Sequence, residues 1–84
     1  MKLRDILKTT FQKTRIRIIV THYPIKKEQE YINLNNPMFP DELIKLDGVK
    51  ELLDNTIQFF GVVLYEDFDS NCYLPTLDVY VYGD

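Results

Sequence analysis

The stretch Ile57-Gln58-Phe59-Phe60-Gly61-Val62-Val63-Leu64-Tyr65 is the strongest constraint on how this chain can fold. It has a single polar side chain and is rich in β-branched and aromatic residues, so it reads as a strand. A polar, acidic segment follows at residues 66–71. Residues 74–82 then alternate, with Leu77, Val79 and Val81 on one side and Asp78, Tyr80 and Tyr82 on the other. Two strands joined by a short acidic loop predict a hairpin. Neighbouring residues of a strand point to opposite faces, so this hairpin is apolar on both sides. One side is expected to meet helices. The other is expected to leave Phe60, Val62, Leu64, Tyr80, Tyr82 and Ile19 exposed, as on a partner or homodimer surface. The alternative is that the middle segment, residues 23–40, folds over this face.

Upstream, Leu3, Ile6, Leu7 and Phe11 fall at i, i+3, i+4 and i+8, which predicts a short amphipathic helix over residues 2–11. Residues 14–22 switch to period two. Ile16, Ile18 and Val20 point one way, and Arg15, Arg17 and Ile19 the other. Pro24 cannot donate to a ladder, so this strand stops near Tyr23. Residues 28–34 read as a second strand, paired with the first as a hairpin around residues 23–27. Asn35-Asn36-Pro37 breaks the pattern. Residues 41–46 read as a helical turn and residues 48–53 as a short helix with Asp47 as its N-cap. The order α-β-β-α-β-β predicts a small α+β domain spanning residues 1–84, with short helices on one face of a mostly antiparallel sheet. At 84 residues, with 45% hydrophobic and 27% charged side chains, the chain suits one domain with a small core.

Charge is strongly segregated. Residues 1–27 hold eight bases against one acid, a balance of +7, and residues 28–84 hold two bases against twelve acids, a balance of −10. Such a layout either steers a charged partner or lets the halves neutralise each other once folded. Within the basic part, Lys13, Arg15, Arg17, Lys26 and Lys27 form a candidate phosphate-binding patch. The competing expectation is that Arg15 and Arg17 pair across strands with Glu28 or Glu30. In the acidic part, Glu66, Asp67 and Asp69 surround Phe68 on the hairpin loop. Carboxylates beside an aromatic ring can imitate a nucleic-acid backbone with its stacked bases and occupy a basic groove. The plain alternative is a solvated loop.

Covalent chemistry finds little support. The chain has one His (His22), one Cys (Cys72) and one Ser (Ser70), and no strained elbow to present a nucleophile. A lone cysteine excludes an internal disulfide and a cysteine-rich zinc site. Asp67-x-Asp69-x-Asn71 has the oxygen spacing of a calcium loop, but Cys72 stands where the sharp turn needs Gly. The chain is therefore expected to be non-enzymatic, with no catalytic residue, metal or cofactor. Charges interrupt every turn of the first residues, so no secretory leader is read, and the apolar run 59–65 is far short of the ~20 residues that span a bilayer. Cytoplasmic residence without membrane contact is the expectation.

Met1-Lys2-Leu3-Arg4-Asp5-Ile6-Leu7, Thr14-Arg15-Ile16-Arg17-Ile18, Pro40-Asp41-Glu42-Leu43, Leu52-Leu53-Asp54 and Leu77-Asp78-Val79-Tyr80-Val81 together resemble small proteins of phages and mobile elements of Gram-positive bacteria, anti-CRISPR-like inhibitors among them. The chain departs from the shorter members in a longer middle, residues 23–40, and a longer hairpin loop. The resemblance implies a binder that inhibits a host protein, such as a CRISPR defence nuclease. The residues expected to make that contact are Glu66, Asp67, Phe68, Asp69, Phe60, Val62, Leu64, Tyr80 and Tyr82. Two other readings stand beside it: a homodimeric structural or regulatory module seamed by the sheet face, and a nucleic-acid-binding protein using the basic strand.

Overall fold

The computed structural model describes residues 1–10, 13–67, 69 and 71–84. Among the described residues it is an α+β fold of four short α-helices, two 3-10 turns and three strands. Helix α1 (Leu3–Thr9) buries Leu3, Ile6 and Leu7, the stripe read from the sequence; Phe11 lies outside the described residues. The Asp5 carboxylate accepts a hydrogen bond from the Lys2 backbone N–H at 3.0 Å, tying off the helix start. Strand β1 (Arg15–Thr21) alternates as expected, with Ile16, Ile18 and Val20 buried.

The next segment departs from expectation. Residues 28–34 are not a strand but helix α2 (Glu28–Ile32) and a 3-10 turn (Asn33–Asn35). Tyr31 and Leu34, three apart, face the core together, and Lys27 reaches Glu30 across one turn at 3.4 Å. Those are helical spacings, and Glu and Gln are helix formers. Pro40 occupies the first turn of α3 (Pro40–Leu43), where its missing N–H costs nothing. Helix α4 (Asp47–Leu52) begins one residue before its expected start. Its N-cap is Leu46, whose carbonyl accepts from Val49 and Lys50, so Asp47 lies inside the helix and is not its cap.

Strands β2 (Ile57–Asp67) and β3 (Cys72–Tyr82) form the expected hairpin, closed by the pair Asp67 and Cys72. Asn71 turns the chain with φ 54°, a left-handed conformation that Asn tolerates. The sheet has the order β1-β3-β2. Strand β3 is central, antiparallel to β2 but parallel to β1, so the sheet is mixed and the expected β-β pairing of residues 14–22 with 28–34 does not form. The helices, α2 included, cover one face. There Ile16, Ile18, Val20, Val79 and Val81 meet Leu3, Ile6, Leu7, Tyr31, Leu34, Leu43, Val49 and Leu52. No helix among the described residues is long and apolar enough to cross a membrane.

Candidate functional site: the exposed face and edge of the hairpin

Register decides what each side of the hairpin presents. Ile57 lies opposite Val81, but Phe59 lies opposite Tyr80 and Phe60 opposite Val79, because the ladder shifts by one residue between Ile57 and Phe59. Residues opposite each other share a face. This bulge at Gln58 returns both Ile57 and Phe60 to the helix side. Phe60, Val62 and Leu64 therefore share a face with Val79 and Leu77, and not with Tyr80 and Tyr82 as the uninterrupted alternation implied. They remain exposed all the same, at 51%, 72% and 64%, because the helices pack over β1 and β3 and reach β2 only at Ile57.

The face away from the helices joins Phe59, Val63 and Tyr65 of β2 with Tyr80 and Tyr82 of β3 and Ile19 of β1. Phe59 and Tyr80 stack with ring centroids 4.2 Å apart. Phe59 is 53% and Val63 41% exposed, while Tyr80, Tyr82 and Ile19 are half-buried. Residues 23–40 do not cover this face, since Tyr31 and Leu34 take that segment to the helix side.

The centre of the same face is polar. Arg17 grips Asp78 with two hydrogen bonds, Nε to Oδ1 at 3.1 Å and Nη2 to Oδ2 at 2.7 Å. The Tyr65 hydroxyl donates to the same carboxylate at 3.4 Å, and the Arg17 guanidinium lies 4.8 Å from the Tyr65 ring centre. The hydrogen bond to Asp78 raises the Arg17 pKa further, and burial, with Asp78 beside it, raises that of Tyr65. Gly61 stands opposite Asp78 and leaves this cluster uncrowded from the β2 side.

Two of the five bases of the basic patch are taken up by internal pairing. Arg17 pairs with Asp78, and not with Glu28 or Glu30. Lys27 reaches Glu51 at 3.1 Å as well as Glu30, and both hydrogen bonds raise its pKa. Lys26 is exposed in the 3-10 turn Ile25–Lys27. Lys13 and Arg15 line a shallow cleft of about 310 Å³ with Thr14, Phe39, Leu74 and Pro75, and the Arg15 guanidinium sits 5.8 Å from the Phe39 ring centre. In the acidic loop Glu66 and Asp69 are exposed; Phe68, Ser70 and the Asp67 side chain lie outside the described residues. His22 leans against Tyr82 at 5.4 Å, at the end of the sheet opposite Cys72. Ten residue steps along β3 separate Tyr82 from Cys72, roughly 33 Å of strand, so His22 and Cys72 cannot act as a pair. No group of three or more His, Cys, Asp or Glu comes together among the described residues.

What sequence reasoning missed is the long edge of β2. Its signal was present, since the run from Phe59 to Tyr65 holds neither Lys nor Pro, the residues that usually blunt an edge. Comparison with family models, with curated proteins and with solved structures finds no match to this chain. The fold and the surface define the chain as a small α+β domain with an exposed aromatic hairpin.

Proposed function

We propose that this chain is a protein-binding module that works by contact and carries out no covalent chemistry. Its target is a host-cell protein with a basic nucleic-acid groove, such as a CRISPR defence nuclease. The observation that carries this reading is the Phe59–Tyr80 stack, flanked by Ile19 on the sheet face that the helices leave open. Paired aromatic rings beside aliphatic side chains are what interface cores use, because they offer large desolvated area for little lost rotamer freedom. Exposed Glu66 and Asp69 at the hairpin end supply the negative field that draws the module to a basic surface. The bacterial cytoplasm is where such a target is met.

The test is nuclease inhibition with purified proteins. The chain should suppress DNA cleavage by its target nuclease. Tyr80→Ser should weaken binding by about tenfold or more. Glu66→Gln with Asp69→Asn should slow association and flatten its salt dependence, leaving dissociation nearly unchanged. Association that ignores both changes would sink the reading.

A further inference from the structure

We infer that two copies of this chain join edge to edge through β2, antiparallel and centred on Val62, to make one continuous six-stranded sheet. The two edges of the sheet are treated differently. Along β1, Ile16 exchanges both backbone hydrogen bonds with Met38, at 2.7 and 3.0 Å, and that strand carries Arg15 and Arg17. Along β2, the N-terminal residues cover only the beginning. Leu3 N–H donates to Asn55, Ile57 N–H donates to Met1, and Lys2 bridges Thr56. From residue 58 to residue 66 no described segment pairs with the outer side of the strand. A run of unpaired N–H and C=O groups that long is a template for another strand.

The occupant has to satisfy both faces of that edge. Phe60, Val62 and Leu64 are exposed on the helix side, and Phe59 and Val63 on the other. A lone extended peptide would leave them half covered. A second copy related by a two-fold axis brings the same side chains to both faces, with its own helix layer on the helix side.

Symmetry then selects the register. In antiparallel self-pairing each residue faces its mirror about a central one, and side-chain phase requires that centre to be a residue. The free edge, 58–66, and the apolar run, 59–65, have the same midpoint, Val62. Centred there, Phe59 meets the second copy's Tyr65, Phe60 meets its Leu64, and Gly61 meets its Val63. Glu66 falls opposite Gln58, so no like charges confront each other. The pairing ends at Glu66, because Met1 already holds the Ile57 N–H that the second copy's Asp67 would face. Exposed apolar side chains on this strand amount to on the order of 500 Å² per copy, an upper limit on the apolar area that edge pairing can cover. Both open faces end on one side of the joined sheet, doubling the contact surface proposed above.

The inference rests on the hairpin being a contact surface, and its test is independent of any nuclease. Sedimentation equilibrium at about 100 µM, well above a micromolar dissociation constant, should give twice the 10.0 kDa chain mass. Val62→Lys puts two ammonium groups together on the axis and should weaken association at least about 100-fold. Val62 is so exposed in one copy that the variant should keep its far-UV spectrum and melting point. In a Cys72→Ser background, Val62→Cys should form an intermolecular disulfide on mild oxidation, because axis partners sit about 4.5–5.5 Å apart at Cα. Gln58→Cys in that background should not, its copies lying roughly 27 Å apart. A 10.0 kDa wild-type particle, a dimer indifferent to Val62→Lys, or cross-linking at residue 58 in place of 62 would each overturn the dimer. A monomer that still inhibits through Tyr80 would leave the functional reading standing, whereas a dimer that inhibits nothing would leave only the dimer.

Discussion

At Asp78 a carboxylate only 4% exposed is held by an arginine 27% exposed. Such a pair is worth less than its short distances suggest, because both groups gave up water to form it. Breaking it is another matter. Arg17→Leu leaves a buried, uncompensated charge and should cost about 3 kcal/mol in urea denaturation. Adding Asp78→Val should recover most of that loss, since the site then becomes apolar on both strands. Arg4, bonded to Asp54 at 2.9 Å in the open, is the contrast: Arg4→Leu should leave the unfolding midpoint where it is. Gly83 poses a purely steric case. A Cβ there would sit 2.7 Å from a Val20 methyl and 2.8 Å from the Tyr23 Cβ, while the Gly83 N–H holds the Thr21 carbonyl at 2.7 Å. Gly83→Ala should cost about 1–3 kcal/mol by forcing the last strand away from the first, read as a lowered melting temperature.

Helix α2 shows what period counting resolves and what it leaves open. Over residues 14–22 the alternation is clean, and that strand is where it was expected. Over residues 28–34, Ile32 and Leu34 fit a strand, whereas Tyr31 and Leu34 fit a helix. Seven residues with three apolar side chains do not discriminate the two. The core settles it, because Tyr31 and Leu34 fill space over β1 that a β1 partner strand would leave empty. Leu34→Ala should therefore cost about 2–4 kcal/mol, a core-sized loss, and not the few tenths of a surface strand. Tyr31 adds a pH dependence. Burial holds its phenol above the ordinary value of 10.0, so its stabilisation is complete below that pH and fades as pH rises through the higher folded value. Tyr31→Phe should flatten the alkaline limb of the stability profile and change nothing at neutrality. The bulge at Gln58 was equally hidden, since no Gly or Pro marks it, yet it reverses which face Phe60, Val62 and Leu64 present.

Across the whole molecule, the +7 and −10 halves of the chain are stitched together by Arg4–Asp54, Arg17–Asp78 and Lys27–Glu51. The segregation was legible in the sequence; the partners were not, because each pair joins residues at least 24 positions apart, and Arg17–Asp78 depends on β1 lying parallel to β3. Two of the three pairs are solvated and one is not, which makes the response to salt a measure of what the charges contribute. If these pairs held the halves together, raising sodium chloride from about 0.02 to 1 M would shrink the Debye length from roughly 20 Å to 3 Å and strip most of their attraction. The arrangement argues otherwise. Arg4–Asp54 and Lys27–Glu51 sit in water and contribute little at any salt, and the Arg17–Asp78 pair is shielded by Tyr65 and its own burial. Packing of Ile16, Ile18, Val79 and Val81 against the helices is insensitive to screening, and concentrated salt strengthens it slightly. The melting temperature should then move by no more than about 5 °C over that range. A fall several times larger would mean that the opposed charges, and not the apolar layer between sheet and helices, close the molecule.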